Sequence, residues 1–236
     1  MKAMIFAAGK GTRLKPFTDS HPKALALVNG VSLLERNIRY LQSYGIQDFV
    51  INIHHFGEQI VEFLKKNDFF GAKIDISDEK DLLETGGGLV FARQFLDHGE
   101  DFIIINADIL TDLNLNDLVA YHQQKQDYAT LAVSDRNSSR KLLFNEEMIL
   151  KGWLNVNTGE QRLAEHNKGF RPLAFSGVHC VHPELFNKIR RTGKFSIMEE
   201  YLDLMLTEHI HGYFHQAHLI DVGKPEAVQI AEQIFK

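Results

Sequence analysis

Short apolar runs alternate with amphipathic stretches along most of this chain, the pattern of a mostly parallel sheet flanked by helices. Residues 2–7 read as a buried strand, and a helix follows from about Ser32 to Gly45, with Ser32-Leu33-Leu34-Glu35 in the form of a capping box. Residues 49–54 read as a second inner strand, 57–66 as a helix, 73–77 as a short strand and 88–96 as another helix. The run Phe102-Ile103-Ile104-Ile105 is apolar throughout, as a strand buried on both faces must be, and it ends at Asn106-Ala107-Asp108. The order so far is βαβαβαβ.

The second half is less regular. Asn114 caps a helix to about Gln124, and residues 129–134 form a strand. The span 134–172 carries charged segments and a hairpin-like turn at Asn155-Val156-Asn157-Thr158-Gly159. Residues 172–182 are apolar again, Ser196-Ile197-Met198-Glu199 opens a helix as a second capping box, and a strand near 218–222 precedes a final helix from Pro225.

A length of 236 residues fits one α/β domain. The net charge of −5, from 26 Lys and Arg against 31 Asp and Glu, gives no broad basic field for nucleic acid, so any anion site must be local. Cys180 is the only cysteine, which rules out an internal disulfide and fits a reducing compartment. No apolar run approaches membrane-spanning length, and the amino terminus enters a strand directly, without a signal-like segment. A soluble, cytoplasmic protein with no nucleic-acid or membrane partner is expected.

The chemistry concentrates in a few places. Ala7-Ala8-Gly9-Lys10-Gly11-Thr12-Arg13 follows the first strand, and Pro22-Lys23 lies close behind. Gly9 and Gly11 would let successive backbone N–H groups converge on phosphate oxygens, with Arg13 and Lys23 as countercharge. The loop is not a P-loop, since no Gly-Lys-Ser/Thr closes it, and not a dinucleotide fingerprint, since Leu14 takes the third glycine's place. Asp108 and Asp221 each end a strand, a position from which two carboxylates could hold a hard divalent ion such as Mg²⁺. Asp112 and Asp117 read as turn and helix-start residues. Leu83-Glu84-Thr85-Gly86-Gly87-Gly88 is a second glycine-rich element, where backbone groups could approach a nucleobase edge. The 12 histidines show no spacing with the support that a zinc site needs, and they and Trp153 read as packing or surface residues.

Taken together, Ala7-Ala8-Gly9-x-Gly11-Thr12-Arg13, Pro16-x-Thr18, Pro22-Lys23, Glu84-Thr85-Gly86-Gly87, Asn106-Ala107-Asp108, Phe175-Ser176-Gly177 and Asp221-Val222-Gly223 resemble the motifs of the sugar-1-phosphate nucleotidyltransferases. The resemblance runs over almost the full length. It implies a Rossmann-like three-layer α/β/α fold, GT-A-like, with a mixed, mostly parallel central sheet. It further implies a nucleotide-binding half at about 1–112 and a sugar-phosphate-binding half at about 113–236. Ala8, Gly9, Gly11, Thr12, Arg13, Lys23, Glu84, Thr85, Gly86 and Gly87 would bind nucleotide, and Asn106, Ser176 and Gly177 the sugar phosphate. Asp108 and Asp221 would hold Mg²⁺, with Arg13, Lys23 and Asp108 catalytic.

Within the family the sequence is most similar to the branch that joins UTP and N-acetylmuramate 1-phosphate. Guanylyl or thymidylyl transfer to mannose, heptose or glucose 1-phosphate is the alternative. A Glu-Lys-Pro element that thymidylyl- and guanylyltransferases use at the sugar phosphate is absent, with Glu165-His166-Asn167-Lys168 a loose substitute, which favours the muramate-type branch; the loop near Ser139 and Arg140 departs from that branch's glycine-containing acceptor loop. A glycosyltransferase, which shares this kind of sheet, would have no use for cations facing a departing pyrophosphate. A non-catalytic nucleotide-sugar sensor is the other rival. No carboxy-terminal repeat is present to build a trimer, and a monomer is expected.

Overall fold

The computed structural model describes residues 1–165 and 169–236, so most of the Glu165-to-Lys168 stretch lies outside the described residues. The first half contains β1 (Lys2–Phe6), the β2 (Leu27–Val28) and β3 (Val31–Ser32) ribbon, α1 (Leu33–Ser43), β4 (Asp48–Ile53), α2 (Gly57–Lys66), β5 (Lys73–Asp78), α3 (Glu84–Phe91), α4 (Arg93–Leu96), β6 (Phe102–Asn106) and β7 (Ile109–Thr111). The second half contains α5 (Leu115–Lys125), β8 (Ala129–Ser134), β9 (Arg140–Phe144), β10 (Leu150–Asn155), β11 (Gln161–Leu163) and β12 (Arg171–Val181). It closes with α6 (Leu185–Lys188), α7 (Ile197–Leu204), β13 (His211–Phe214), β14 (Leu219–Asp221) and α8 (Pro225–Ile234). No helix of the described residues is long and apolar enough to cross a membrane.

The inner strands β6, β1, β4 and β5 run parallel, and β12 joins antiparallel to β6, carrying β8 and β13 on one stretch and β9, β10 and β11 on another. Side chains alternate across this sheet because the strand period is two. Met4, Phe6, Val50, Phe102 and Ile104 face one apolar cluster, which Leu89, Leu96, Ile197 and Tyr201 cover from α3, α4 and α7. Ala3, Ile5, Ile51, Ile103 and Ile105 face the opposite cluster, covered by Leu34, Ile38 and Leu41 of α1, Ile60 and Leu64 of α2, and Leu118 of α5. Three layers result. The α/β fold expected from the resemblance is therefore present.

Local signals mostly act as expected. Ser32 Oγ accepts from Glu35 N at 3.1 Å, although Glu35 turns its carboxylate to Arg39 instead of closing the capping box. Asn114 Oδ1 accepts from Asn116 N at 3.1 Å and starts α5. Asn155 to Gly159 does turn a hairpin between β10 and β11, with Gly159 at φ 74°. One expectation shifts: the third helix starts at Glu84, four residues before Gly88; and the described part of the charged 134–172 span holds the short strands β9, β10 and β11 and the start of β12.

Candidate active site

In the parallel register Phe6 lies beside Asn106, so the chain leaves β1 and β6 at the same end of the sheet, where open α/β sheets bind ligands. The glycine-rich loop starts from an anchored backbone: Ala7 N donates to Asn52 Oδ1 at 2.7 Å. Gly11 sits at φ 61°, and its carbonyl accepts from Leu14 N at 2.8 Å and Thr18 Oγ1 at 2.9 Å. A Cβ there would lie 2.8 Å from Lys23 Cβ, so both the conformation and the close approach of Lys23 require glycine. Ala8 is buried beneath the loop, whereas Gly9, Thr12 and Arg13 are exposed.

The backbone of the Asn106-Ala107-Asp108 turn is held by three hydrogen bonds, one of them from a side chain. Ala107 N donates to Phe6 O at 3.0 Å, buried Asn37 Nδ2 donates to Ala107 O at 3.1 Å, and Val222 N donates to Asp108 O at 2.8 Å. Pairing of β7 with β14 sets Asp221 opposite Ile109, so Asp221 comes beside Asp108, which just precedes β7, although the two are 113 positions apart. Lys23 Nζ donates to Asp108 Oδ2 and lies 3.9 Å from Asp221 Oδ1. Arg13 closes the group: a Cβ built on Gly223 would lie 2.8 Å from Asp221 Oδ1 and 2.9 Å from Arg13 Nη2.

This donor set suits a hard divalent cation. The Lys23 ammonium already occupies a cation position between two partly exposed carboxylates, and Mg²⁺ takes one or two protein carboxylates while keeping its other positions for phosphate and water. Among the described residues no group of three or more His, Cys, Asp and Glu side chains is arranged around a metal position. The larger share of any ion's coordination would therefore come from substrate and solvent.

The second glycine-rich element corrects an expectation. Gly86 N and Gly87 N do not point to an open base pocket; both donate to Phe195 O, at 2.9 and 3.2 Å, and Phe195 N returns to Leu83 O at 3.1 Å. A Cβ on Gly86 would lie 2.3 Å from the Phe195 ring, and one on Gly87 2.1 Å from Gly193 O. The glycines are there because the 193–197 segment passes against this helix start. Thr85 Oγ1 accepts from Ile197 N at 3.0 Å, beside the Ser196 cap of α7, while Glu84, at φ 60°, is exposed and faces Lys194 at 3.6 Å. Gly87→Ala should accordingly destabilise the nucleotide-free protein by about 3 kcal/mol, lowering the thermal midpoint by roughly 6–12 °C. An unchanged midpoint with weaker nucleotide affinity would return this glycine to ligand contact.

Beneath both glycine-rich elements lies a buried pair that the sequence reading missed. Asn52 Nδ2 donates to Glu79 Oε1 at 2.7 Å, and Leu83 N donates to Glu79 Oε2 at 3.1 Å. Burial pushes the Glu79 carboxyl above its ordinary range, against the opposing pull of the Leu83 and Asn52 hydrogen bonds. Asn52 thus ties the first loop, through Ala7, to the second, through Glu79. A polar residue in the apolar run 49–53 was the available signal.

On β12, Gly177 at φ 73° packs against Asn106, whose Nδ2 would lie 3.1 Å from an added Cβ. Ser176 does not face the site as expected. It is fully buried, and its hydroxyl hydrogen-bonds His215 Nε2 at 2.8 Å, because it alternates inward on β12. Asn106 and Thr85 instead border a cavity of ≈ 320 Å³ together with Arg136, Lys141, Trp153 and His179. Burial pushes the His179 imidazole down to about 3, so it stays neutral against Tyr201 OH at 2.7 Å. A larger cavity of ≈ 780 Å³ opens around Asp101 and His122, at the opposite end of β6 from both aspartates.

The class follows from comparison with known proteins. The nucleotidyl transferase family model matches residues 2–142. The chain is 32% identical over 224 residues to N-acetylmuramate alpha-1-phosphate uridylyltransferase of Neisseria meningitidis serogroup B, covering 94% of this chain and 93% of that protein. It is 27% identical to a mannose-1-phosphate guanyltransferase of Schizosaccharomyces pombe, covering 96% of this chain but 62% of that protein. In fold it matches HddC from Yersinia pseudotuberculosis complexed with GMP-PN, with a TM-score of 0.82 at 21% identity over 100% of this chain and 99% of that one. This chain belongs to the sugar-1-phosphate nucleotidyltransferase family, whose substrates are a nucleotide and a sugar phosphate.

Proposed function

We propose that the protein transfers a uridylyl group from UTP to N-acetylmuramate 1-phosphate, releasing pyrophosphate. The observation that carries this reading is the end-to-end match to the Neisseria uridylyltransferase, with more than nine-tenths of both chains covered. An oxygen of the acceptor's phosphate bonds to the α-phosphorus as the bond to the bridging β-oxygen breaks, and that electron pair leaves with pyrophosphate. A phosphate monoester, with its second pKa near ~6, is largely dianionic at neutral pH and needs no general base.

Catalysis then rests on position and charge. The loop from Ala8 to Arg13 cradles the triphosphate, Lys23 leaves Asp108 to meet phosphate oxygens, and Arg13, beside Gly223, adds countercharge for the departing pyrophosphate. Asn106 and Gly177 face the acceptor. Asp108 and Asp221 would hold Mg²⁺, which when bound supplies charge neutralisation between two polyanions. Pyrophosphate release should be measured with four nucleoside triphosphates against N-acetylmuramate, glucose, mannose and heptose 1-phosphates. The expected product comes from UTP with N-acetylmuramate 1-phosphate. Product only from GTP with mannose or heptose 1-phosphate would overturn the reading in favour of guanylyl transfer, the activity named for the Schizosaccharomyces relative.

A further inference from the structure

The cavity of ≈ 780 Å³ at the far end of β6 takes no part in the proposed reaction, yet four separate segments converge to build it. Asp101 comes from the turn before β6, His122 and Lys125 from α5 with Asp127 just after it, Glu184 from just before α6, and Glu208 from the turn before β13. A space of this size suits a small organic molecule.

Its most buried polar groups lack partners. His122 is 2% exposed: its Nδ1 pairs with Thr130 Oγ1 at 2.8 Å, while its Nε2 stands 3.6 Å from Asp101 Oδ1, too far for a hydrogen bond. Asp101, 17% exposed, accepts no hydrogen bond among the described residues. Asp127, 5% exposed, bonds His211 Nδ1 through Oδ2 and leaves Oδ1 without a partner among the described residues.

Positive charge is short as well. Lys125 Nζ lies over the Tyr121 ring of its own helix, 5.4 Å from the centroid, and Lys188, which lies just outside the cavity, holds Glu208 at 2.8 Å. Burial keeps the His122 imidazole below its ordinary range, with His182 acting in the same sense and Asp101 and Asp127 against it. At neutral pH His122 therefore brings no charge to the two carboxylates. A buried carboxylate without a counterion is costly unless a ligand supplies one. A bare metal ion does not answer the need: among the described residues no group of three or more His, Cys, Asp and Glu is arranged around a metal position. A primary ammonium does, because it carries one positive charge and three donors.

We infer that this cavity binds an aliphatic polyamine, with one primary ammonium seated among Asp101, His122 and Asp127 and a second reaching Glu184. Glu184 is exposed at the mouth and makes no ion pair among the described residues, so it is available to a cation that enters from solvent.

The test is calorimetric titration of the nucleotide-free, full-length protein with spermidine, with butylamine as a monoamine and with 1,4-butanediol as a neutral chain. Spermidine should give a saturable one-site isotherm, butylamine a weaker one and the diol none. Asp101→Asn should weaken spermidine about tenfold or more. That variant lies away from Asp108 and Asp221, so an unchanged thermal midpoint and unchanged turnover show it folded. Glu184→Gln, at an exposed position, should weaken spermidine and leave butylamine unchanged. Glu62→Gln, an exposed carboxylate on α2, alters the net charge equally and should change neither. Absence of a saturable isotherm with spermidine overturns the inference, as does equal binding of the diol. Full affinity in both Asp101→Asn and Glu184→Gln, or an equal loss in Glu62→Gln, overturns it too, since the amine would then be held elsewhere or by general attraction to an acidic chain.

Discussion

Asp108→Asn should lower turnover about a hundredfold or more, a loss on the order of 3 kcal/mol in transition-state stabilisation, while the protein melts near the parent's midpoint. The asymmetry follows from how the residue is held. Its backbone carbonyl accepts from Val222 N whatever the side chain is, and the carboxylate, 25% exposed, packs against no core. Asparagine keeps the volume and removes the charge that faces Lys23 and, with Asp221, would hold Mg²⁺. The check is a pyrophosphate-release assay at saturating substrates with Mg²⁺ raised well above its usual excess. Recovery to the parent's rate would reduce the residue to an affinity role, and full activity without extra metal would remove it from the mechanism.

Lys23→Ala should lower turnover by a similar factor and, in the absence of nucleotide, bind divalent metal more tightly than the parent. Both effects come from one position. The ammonium reaches both carboxylates and so competes with any cation that would sit between them; removing it leaves two facing negative charges with no cation between them. During turnover the same ammonium is needed on the phosphates, where its loss is not replaced. Calorimetric titration of the nucleotide-free variant with Mg²⁺ or Mn²⁺, beside the rate assay, separates the two. Unchanged metal affinity would show that the lysine does not occupy the ion's place.

These two residues were legible in the sequence for a physical reason. An aspartate that ends a uniformly apolar run such as 102–105 stands at the strand end where open sheets bind ligands, and an α/β pattern places several such ends on one edge. The inner strands were legible because burial on both faces leaves continuous apolar runs, and α1 and α5 because a side-chain cap announces each start. What local pattern could not carry was partnership across distance. Gly86 and Gly87 look like ligand-facing glycines until Phe195, more than 100 residues on, is seen to take their N–H groups. Ser176 lies in a motif associated with the sugar phosphate, yet β12 turns it inward to His215. Arg136 lies in the loop between β8 and β9 and Lys141 on β9 itself, and nothing local says that both border one cavity, which appears only in the fold.

The seam between residues 83–87 and 193–197 has a practical consequence for anyone who would re-engineer the enzyme. Thr85 belongs to the start of α3, borders the cavity beside Asn106, and accepts from Ile197 N, the first N–H of α7, with its hydroxyl. Ser196 and Ile197 line that same cavity from the other side of the seam. The two segments therefore move as one piece: a substitution that changes the room in this cavity at 196 or 197 also shifts the start of α3, and a redesign of either side has to be tested on both.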